Sequence, residues 1–398
     1  MKEKKQKTWL RRRHKILRDI LYVILGPYCW LKYSLKVEKF KEQGDRPYLV
    51  LLNHVTPFDQ FFAGMAFKGP LYYVATEDIF SLGWISAVIR WIIAPIPIRK
   101  QTTDLGAVMT CIRVAREGGT ICMAPEGNRS YSGRTEYMNP AVAGLAKKMK
   151  LPIAIFRIEG GYAAQPRWSD CVRRGTVRAY VSEVIEPEEI AALSKEELMD
   201  RIRKGLMVND CAAGGHYKSK KSAEYLERAY YVCPKCGLTT FRSEGNTFRC
   251  EKCGMGGEYG PDLKIRGNFP FENTLQWYDY QASYINSLDV TTMTEEPLYQ
   301  DTANVTKVIV YKRKEPLLKN ARLELYGDRV VINGDMVFPF KDTHAVTVLG
   351  RNKMNIYFGG EVFQFKGGKR MCALKYVHMF HRFQNIQRGE SDDQFLGL

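Results

Sequence analysis

A histidine and an aspartate five positions apart are the residues of this sequence best suited to acid–base chemistry. His54 ends an apolar run that begins at Pro47, and Asp59 follows in a polar turn. An imidazole with a pKa of about 6.5 can take a proton from a hydroxyl at neutral pH. A carboxylate on the other ring nitrogen fixes the tautomer and stabilises the imidazolium that forms. Because no serine or cysteine nucleophile accompanies the pair, the nucleophile would be a hydroxyl of the substrate.

The same residues also have a purely structural interpretation. Thr56 suits an N-cap, Pro57 the first helical position and Asp59 the third, so Thr56-x-x-Asp59 reads as a capping box. His54 would then be a turn residue without a chemical role. The pattern of this segment alone leaves both interpretations open.

A second polar segment follows another apolar run. The loop contains five consecutive polar or glycine residues: Glu126, Gly127, Asn128, Arg129 and Ser130. Gly127 permits a close approach of the backbone, and the guanidinium of Arg129 offers two parallel donors to a phosphate. The loop therefore suits an anion, and its alternative is a surface turn with an exposed arginine.

A third segment, residues 94–100, contains two prolines and two isoleucines and ends in Arg99 and Lys100. Such a stretch is stiff and extended, and it presents cations at its end. The alternative is an edge strand that finishes in solvated charges.

Taken together, these segments resemble the glycerolipid acyltransferase superfamily, in particular its 1-acyl-glycerol-3-phosphate acyltransferases. The resemblance covers about residues 30–210. It is carried by four blocks in the family's order: the H-x4-D block His54–Asp59, then Ile96–Arg99, Pro125–Ser130 and Leu151–Ile153.

The resemblance implies that His54 is the general base on the acceptor hydroxyl and that Asp59 orients it. It implies an acceptor phosphate site in two of the blocks: Arg99, Glu126, Gly127, Asn128 and Arg129. The implied reaction transfers an acyl group from acyl-CoA, acyl-carrier protein or acyl phosphate to the sn-2 hydroxyl of lysophosphatidate, giving phosphatidate without a catalytic cofactor. Thr56 and Asn128 replace the family's usual serine and threonine, and both keep a polar side chain.

Four of the ten cysteines form two C-x2-C-G knuckles with 13 residues between the pairs: Cys233, Cys236, Cys250 and Cys253. Four thiolates at this spacing suit one tetrahedral zinc, with rubredoxin-like iron as the lesser alternative. A closed four-cysteine site leaves no position for water or substrate, so the predicted zinc is structural. The other six cysteines are scattered, mostly in apolar surroundings, as in a reducing compartment.

The charge of the chain points to an anionic partner. The 398 residues include 60 Lys or Arg and 43 Asp or Glu, a net charge of +17, and residues 1–18 alone carry +8. An uncharged stretch, Ile20–Leu31, follows; it is shorter than the roughly 20 residues of a spanning helix, and Gly26-Pro27 interrupts it. We expect a helix on an anionic membrane surface, at the cytoplasmic face and peripheral or monotopic. The alternative is a basic, solvated helix end followed by a core helix.

The elements that position these residues alternate between strands and helices. Short apolar runs near residues 47–53, 71–76, 120–124, 153–158 and 177–185 suit buried strands, with helical patterns between them. This predicts an α/β sandwich of the acyltransferase type, followed by a small zinc ribbon and an all-β C-terminal domain capped by a helix. Asn333-Gly334 predicts a hairpin in the last domain, which resembles a pleckstrin-homology or GRAM fold.

The predicted organisation has six parts. They are a membrane-surface segment (1–32), the acyltransferase domain (33–210), a linker (211–229), the zinc ribbon (230–260), a helical connector (261–300) and the β domain (301–390). Two alternative functions remain: acylation of another lysophospholipid or membrane alcohol, and a non-catalytic lipid-binding adaptor. No nucleic-acid partner is expected, because the cysteine module lacks a dense basic and aromatic stripe.

Overall fold

The computed structural model describes residues 8–42, 44–76, 78–98 and 104–389. Its strands in these ranges are β1 Leu35–Val37, β2 Leu49–Leu52, β3 Leu71–Thr76, β4 Ile96–Ile98, β5 Thr120–Met123, β6 Ile153–Glu159, β7 Val177–Ile185, β8 Val232–Cys233, β9 Gly237–Leu238, β10 Phe241–Glu244, β11 Thr247–Cys250, β12 Gly256–Tyr259, β13 Ile265–Arg266, β14 Tyr299–Lys307, β15 Glu315–Leu325, β16 Arg329–Ile332, β17 Met336–Pro339, β18 Thr343–Leu349, β19 Lys353–Phe358 and β20 Glu361–Gly367. Its α-helices are α1 Arg12–Tyr33, α2 Asp59–Ala66, α3 Trp84–Ile93, α4 Leu105–Arg116, α5 Ala141–Met149, α6 Gly161–Ala164, α7 Pro187–Ala192, α8 Lys195–Leu206, α9 Asp210–Ala213, α10 Thr274–Ser287 and α11 Leu374–Arg388.

The N-terminal part is an α/β sandwich around one seven-stranded sheet, as the sequence predicts. The strand order is β1-β7-β6-β2-β5-β3-β4, and only the β6–β7 pair is antiparallel. Alternate residues of β2 enter two different cores, Leu49 and Leu51 on one face and Val50 and Leu52 on the other. Burial on both faces explains why these strands read as continuous apolar runs.

The topology of this sheet brings two distant loops together. β2 and β5 are parallel neighbours, with Leu51 beside Met123 at their carboxyl ends. Because the loops that leave neighbouring parallel strands emerge at the same edge, the segments after residues 52 and 123 must meet there.

The first helix corrects one expectation. α1 continues through Gly26 and Pro27, which were expected to interrupt it. Pro27 is exposed, and so is Val23, whose carbonyl loses its N–H partner at the proline, so water can satisfy that carbonyl. Among the described helices, none is long and apolar enough to span a bilayer.

The C-terminal part is a seven-stranded, all-antiparallel sheet followed by α11. Its strand order is β17-β16-β15-β14-β20-β19-β18. The hairpin predicted at Asn333-Gly334 is confirmed, because it joins β16 to β17 and both residues have positive φ. The buried side chains of α11 belong to the same continuous core as those of α1 and α2.

Residues 211–229, expected to be a linker, are packed over much of their length. Ala223, Leu226 and Ala229 are fully buried. The buried guanidinium of Arg228 donates to the Trp168 carbonyl and pairs with Asp170 at 2.7 Å. The Gly, Ser and Lys content of the segment suggested a solvent-exposed linker. A few apolar side chains and one ion pair instead hold it against the α/β sandwich.

Candidate active site

The predicted acid–base pair is assembled at the carboxyl edge of the sheet. Nδ1 of His54 lies 2.7 Å from Oδ2 of Asp59. The Asp59 side chain is completely buried, whereas 27% of the His54 side chain is exposed. No described residue hydrogen-bonds Nε2 of His54, so this nitrogen is available to a substrate.

The Asp59 carboxylate also organises the turn that carries the histidine. It accepts the backbone N–H of Val55 at 2.6 Å and that of Thr56 at 2.9 Å, and the Thr56 hydroxyl donates to it at 2.6 Å. The helix begins at Asp59 itself rather than two residues earlier, because the residues before it form this turn. The capping interaction and the imidazole contact therefore coexist in one carboxylate.

The surroundings of His54 favour its neutral form. Burial lowers the pKa of His54 below 6.5; the hydrogen bond to Asp59 opposes this, and the positive charges of Arg129 and Arg167 add to it. With Nδ1–H directed at Asp59, the neutral ring presents an unprotonated Nε2. That is the state a general base needs before it accepts a proton.

Glu126 holds the two loops together. Its carboxyl group accepts the backbone N–H of His54 at 2.8 Å and that of Glu136 at 3.3 Å. Ser130 N–H in turn donates to the His54 carbonyl at 2.9 Å. Burial raises the pKa of Glu126 to about 8. The structure thus shows Glu126 supporting the His54 backbone, and its part in the phosphate site, which the resemblance implied, stays a prediction.

The remaining residues of the expected phosphate site differ in position. Gly127 has a φ of +67°, a conformation that suits glycine, and Asn128 is buried. Arg129 is largely enclosed, and its Nη1 has no hydrogen-bond partner among the described residues. Arg99 lies outside the described residues.

Two residues outside the predicted site set also support the site. The Asn53 side chain exchanges hydrogen bonds with the backbone of Ile158 at 2.8 and 2.9 Å, which fastens the end of β2 to β6. The buried guanidinium of Arg167 donates to the Arg129 carbonyl at 2.9 Å. Asn53 could have been found from the sequence because it directly precedes His54 in the first block. Arg167 lies outside all four blocks, and nothing in the sequence marks it.

The four knuckle cysteines converge on one point in the C-terminal half. The sulfur atoms of Cys233, Cys236, Cys250 and Cys253 all lie within 4.8 Å of one another. Sγ of Cys233 and Sγ of Cys253 are 3.7 Å apart, close to the roughly 3.8 Å edge of a tetrahedron with Zn–S bonds of about 2.3 Å. Gly237 and Gly254, which follow the pairs, have positive φ. The cluster can therefore bind a metal ion.

Comparisons with known proteins cover the N-terminal part. No curated protein sequence matches the chain significantly. The crystal structure of the 1-acyl-sn-glycerophosphate (LPA) acyltransferase PlsC from Thermotoga maritima is similar, with 22% identity and a TM-score of 0.42 over 50% of this chain and 80% of that one. Residues 34–158 match the family model described as Acyltransferase. Over this span, which holds His54, Asp59 and Arg129, the chain therefore carries an acyltransferase-type domain, and the match supports acyl transfer as its chemistry.

Proposed function

We propose that this chain transfers an acyl group from an activated donor to the sn-2 hydroxyl of 1-acyl-sn-glycerol-3-phosphate, giving phosphatidate. The observation that carries the proposal is the His54–Asp59 pair, whose free Nε2 opens at the same sheet edge as the enclosed cation Arg129. A base beside a cation suits an acceptor that bears both a hydroxyl and a phosphate.

The proposed reaction uses the imidazole twice. Nε2 of His54 takes the proton of the acceptor hydroxyl while the hydroxyl oxygen attacks the acyl carbonyl of the donor. The tetrahedral intermediate collapses, the carbonyl re-forms, and the bond to the donor's sulfur or phosphate oxygen breaks. The imidazolium, stabilised by Asp59, then returns its proton to the leaving group. This scheme accommodates acyl-CoA, acyl-carrier protein and acyl phosphate, because each donor releases a thiolate or a phosphate that can accept the proton.

We also propose that the protein works on an anionic membrane surface, at the cytoplasmic face. α1 exposes apolar side chains along one side, among them Ile20 and Val23, and α3 exposes Trp84 and Trp91. The two helices are in contact, since Nε of Arg13 donates to the Trp91 carbonyl at 3.2 Å. Apolar faces with interfacial tryptophans next to basic residues suit the headgroup boundary of an anionic bilayer.

Vesicle co-sedimentation tests the membrane surface. The protein should pellet with vesicles of phosphatidylcholine and phosphatidylglycerol and much less with phosphatidylcholine alone. Trp84→Ser with Trp91→Ser should weaken binding, whereas Val337→Ser, at a half-exposed position of the C-terminal sheet, should not. Equal binding of both variants would contradict this surface.

Two further assignments belong to the C-terminal half. We propose one structural zinc in the four-cysteine cluster, where it would stabilise the fold of the ribbon and leave catalysis to His54. We also propose that the seven-stranded sheet and α11 form a domain of the pleckstrin-homology or GRAM type. Support comes from the seven antiparallel strands followed by one terminal helix.

The activity test incubates the purified full-length protein and vesicles with lysophosphatidate and each of the three donors, with phosphatidate measured by mass spectrometry. His54→Ala should abolish the product. His216→Ala, at an exposed position outside the predicted site set, should leave it unchanged. If product forms only from another lysophospholipid or from a membrane alcohol, the chain is an acyltransferase but its acceptor is not lysophosphatidate. No product from any acceptor would favour the non-catalytic adaptor.

A further inference from the structure

The C-terminal sheet reaches the active site through one buried arginine. Nη1 of Arg167 donates to the Arg129 carbonyl at 2.9 Å, and Nε of the same group donates to the Gly350 carbonyl at 3.2 Å. Nη2 donates to the Val348 carbonyl at 3.3 Å and to Oδ1 of Asn128 at 3.4 Å. A single guanidinium therefore joins the loop that carries Arg129 to the end of β18 and the turn that follows it.

This junction holds more positive than negative charge. Arg167 is 3% exposed and pairs with no carboxylate among the described residues. Arg351, in the β18–β19 turn, contacts Asp170 at 3.0 Å, but Asp170 is shared with Arg228. Burial, followed by the charges of Arg167 and Arg351, lowers the pKa of Arg129 to about 10. Buried cations usually have a counter-charge, so the junction suits an anion.

Unpartnered donors gather at the same place. Of the twelve buried side-chain atoms that lack a hydrogen-bond partner in the described residues, three belong to residues that contact Arg167 or adjoin one of its partners. They are Nη1 of Arg129, the hydroxyl of Tyr131 and Nε of Arg351. The Tyr131 ring lies 4.5 Å from the Arg167 guanidinium, and Arg351 follows Gly350, whose carbonyl that guanidinium binds. Each of the three can donate to an oxyanion.

We propose that Arg129 and Arg351, backed by the buried charge of Arg167, bind the phosphate group of the lysophosphatidate acceptor, so that the C-terminal sheet completes the acyltransferase site. The proposal rests on the proposed function for the identity of the ligand. The anion site itself rests only on the geometry of the junction.

The excess of positive charge also predicts a preference between headgroups. A phosphomonoester carries a charge of about −1.5 to −2 at pH 7, whereas a phosphodiester carries a single negative charge and lacks one terminal oxygen. Two guanidinium groups from two different loops, with a third behind them, match the monoester better. Arg351 is therefore a residue that determines specificity for the acceptor.

Binding is tested without turnover. The ³¹P resonance of sn-glycerol 3-phosphate is followed as full-length protein is added, for wild type, Arg351→Ala, Arg351→Lys and Arg322→Ala. Arg322 is an exposed arginine of the same sheet and serves as the matched control. Wild type and the control should broaden the signal, Arg351→Ala should not, and Arg351→Lys should restore part of the effect. Broadening by Arg351→Ala equal to wild type, or none by wild type, would overturn the anion site.

Kinetics then identify the ligand. Arg351→Ala should raise KM for lysophosphatidate at least about tenfold, with KM for the acyl donor and the melting temperature unchanged. It should also lose the preference for lysophosphatidate over lysophosphatidylglycerol. An unchanged acceptor KM in an active variant would overturn the inference while the proposed function stands. Wild type that binds glycerol 3-phosphate through Arg351 but transfers no acyl group would keep the anion site and overturn the proposed function.

Discussion

Nδ1 of His54 lies 2.7 Å from Oδ2 of Asp59, and that carboxylate is completely buried while the imidazole remains partly open to solvent. Three donors from Val55 and Thr56 fix the carboxylate in place. The aspartate therefore cannot rotate away from the ring without leaving buried N–H groups unsatisfied, which is costly. The pair is preorganised before any substrate binds.

Asp59→Asn tests whether the negative charge of the Asp59 side chain, rather than its shape, is needed for catalysis. Asparagine keeps an oxygen for the turn but removes the negative charge that stabilises the imidazolium and selects the tautomer. By analogy with other histidine–carboxylate pairs, we expect kcat to fall by roughly 10³- to 10⁴-fold. Asp200→Asn, at an exposed position of α8, is the matched control. A kcat within about tenfold of wild type in a folded Asp59→Asn protein would contradict the role of Asp59.

The pKa of His54 sets the acid limit of the activity. The base is the neutral ring, and burial lowers its pKa below 6.5, so kcat/KM should be level at neutral pH and fall only below pH 6.5. The hydrogen bond to Asp59 raises this pKa, so the residual activity of Asp59→Asn should decline at a still lower pH. Profiles of kcat/KM against pH for both proteins provide the measurement. A decline that begins above pH 6.5 would assign the base to another group.

The meeting of His54 and Glu126 at one edge of the sheet can be predicted from the sequence, because it depends on the two strands that directly precede these residues. The runs that became β2 and β5 are buried on both faces, and His54 and Glu126 follow them closely. Parallel neighbours place such residues at one edge, so proximity in space follows from the strand pattern. The assembly of the cysteine cluster follows equally from two short spacings.

The contribution of the C-terminal sheet could not be predicted in this way. Arg129 and Arg351 are separated by more than half of the chain, and Arg167 lies between two strands in a segment without a recognisable pattern. Their proximity depends on how β18 docks against the loop after β5, which is a property of tertiary packing. The prediction that Gly26 and Pro27 interrupt the first helix was wrong for a related reason: it depends on whether solvent can reach the backbone carbonyl that loses its partner at Pro27, and the exposure of that side of α1 is also set by tertiary packing.

Glu126→Gln should change stability in a pH-dependent way. The pKa of Glu126 is raised from 4.5 to about 8 in the folded protein, so the folded state holds this proton more tightly than the unfolded state. Its contribution to stability is complete below pH 4.5 and is lost as the pH rises through 8. Glutamine keeps an acceptor for the His54 N–H and does not ionise. The melting temperature of Glu126→Gln minus that of wild type should therefore increase from pH 5 to pH 8.

The matched control for this prediction is Glu196→Gln, at an exposed position of α8. Its difference from wild type should vary little over the same range, because the Glu196 side chain is exposed to solvent and supports no buried backbone N–H among the described residues. A pH-independent difference for Glu126→Gln would show that the Glu126 carboxyl ionises equally easily in both states.

The cysteine cluster should hold one zinc per chain. Loss of the zinc should disturb the packing of the core beside the cluster. Nε1 of Trp277 donates to the Val232 carbonyl at 2.9 Å, one residue before Cys233, and the Trp277 ring stacks on Phe248 with ring centres 5.1 Å apart. Cys233→Ser removes one of four ligands, so the ribbon loses the binding free energy that supports its fold. We expect zinc content well below one per chain, a change in tryptophan fluorescence and new proteolytic cleavage within residues 230–260.

Cys171→Ser is the matched control, since Cys171 is a half-buried cysteine outside the cluster. It should keep its zinc and its resistance to protease. Freshly purified wild type without metal would contradict the zinc assignment, and metal loss from both variants would contradict the ligand set. An acyl-transfer assay of Cys233→Ser then tests whether the zinc cluster is only structural. The His54–Asp59 turn is held by its own hydrogen bonds, so Cys233→Ser should lose activity only to the extent that the docking of β18 loosens. That loss should appear as a higher KM for lysophosphatidate with kcat little changed.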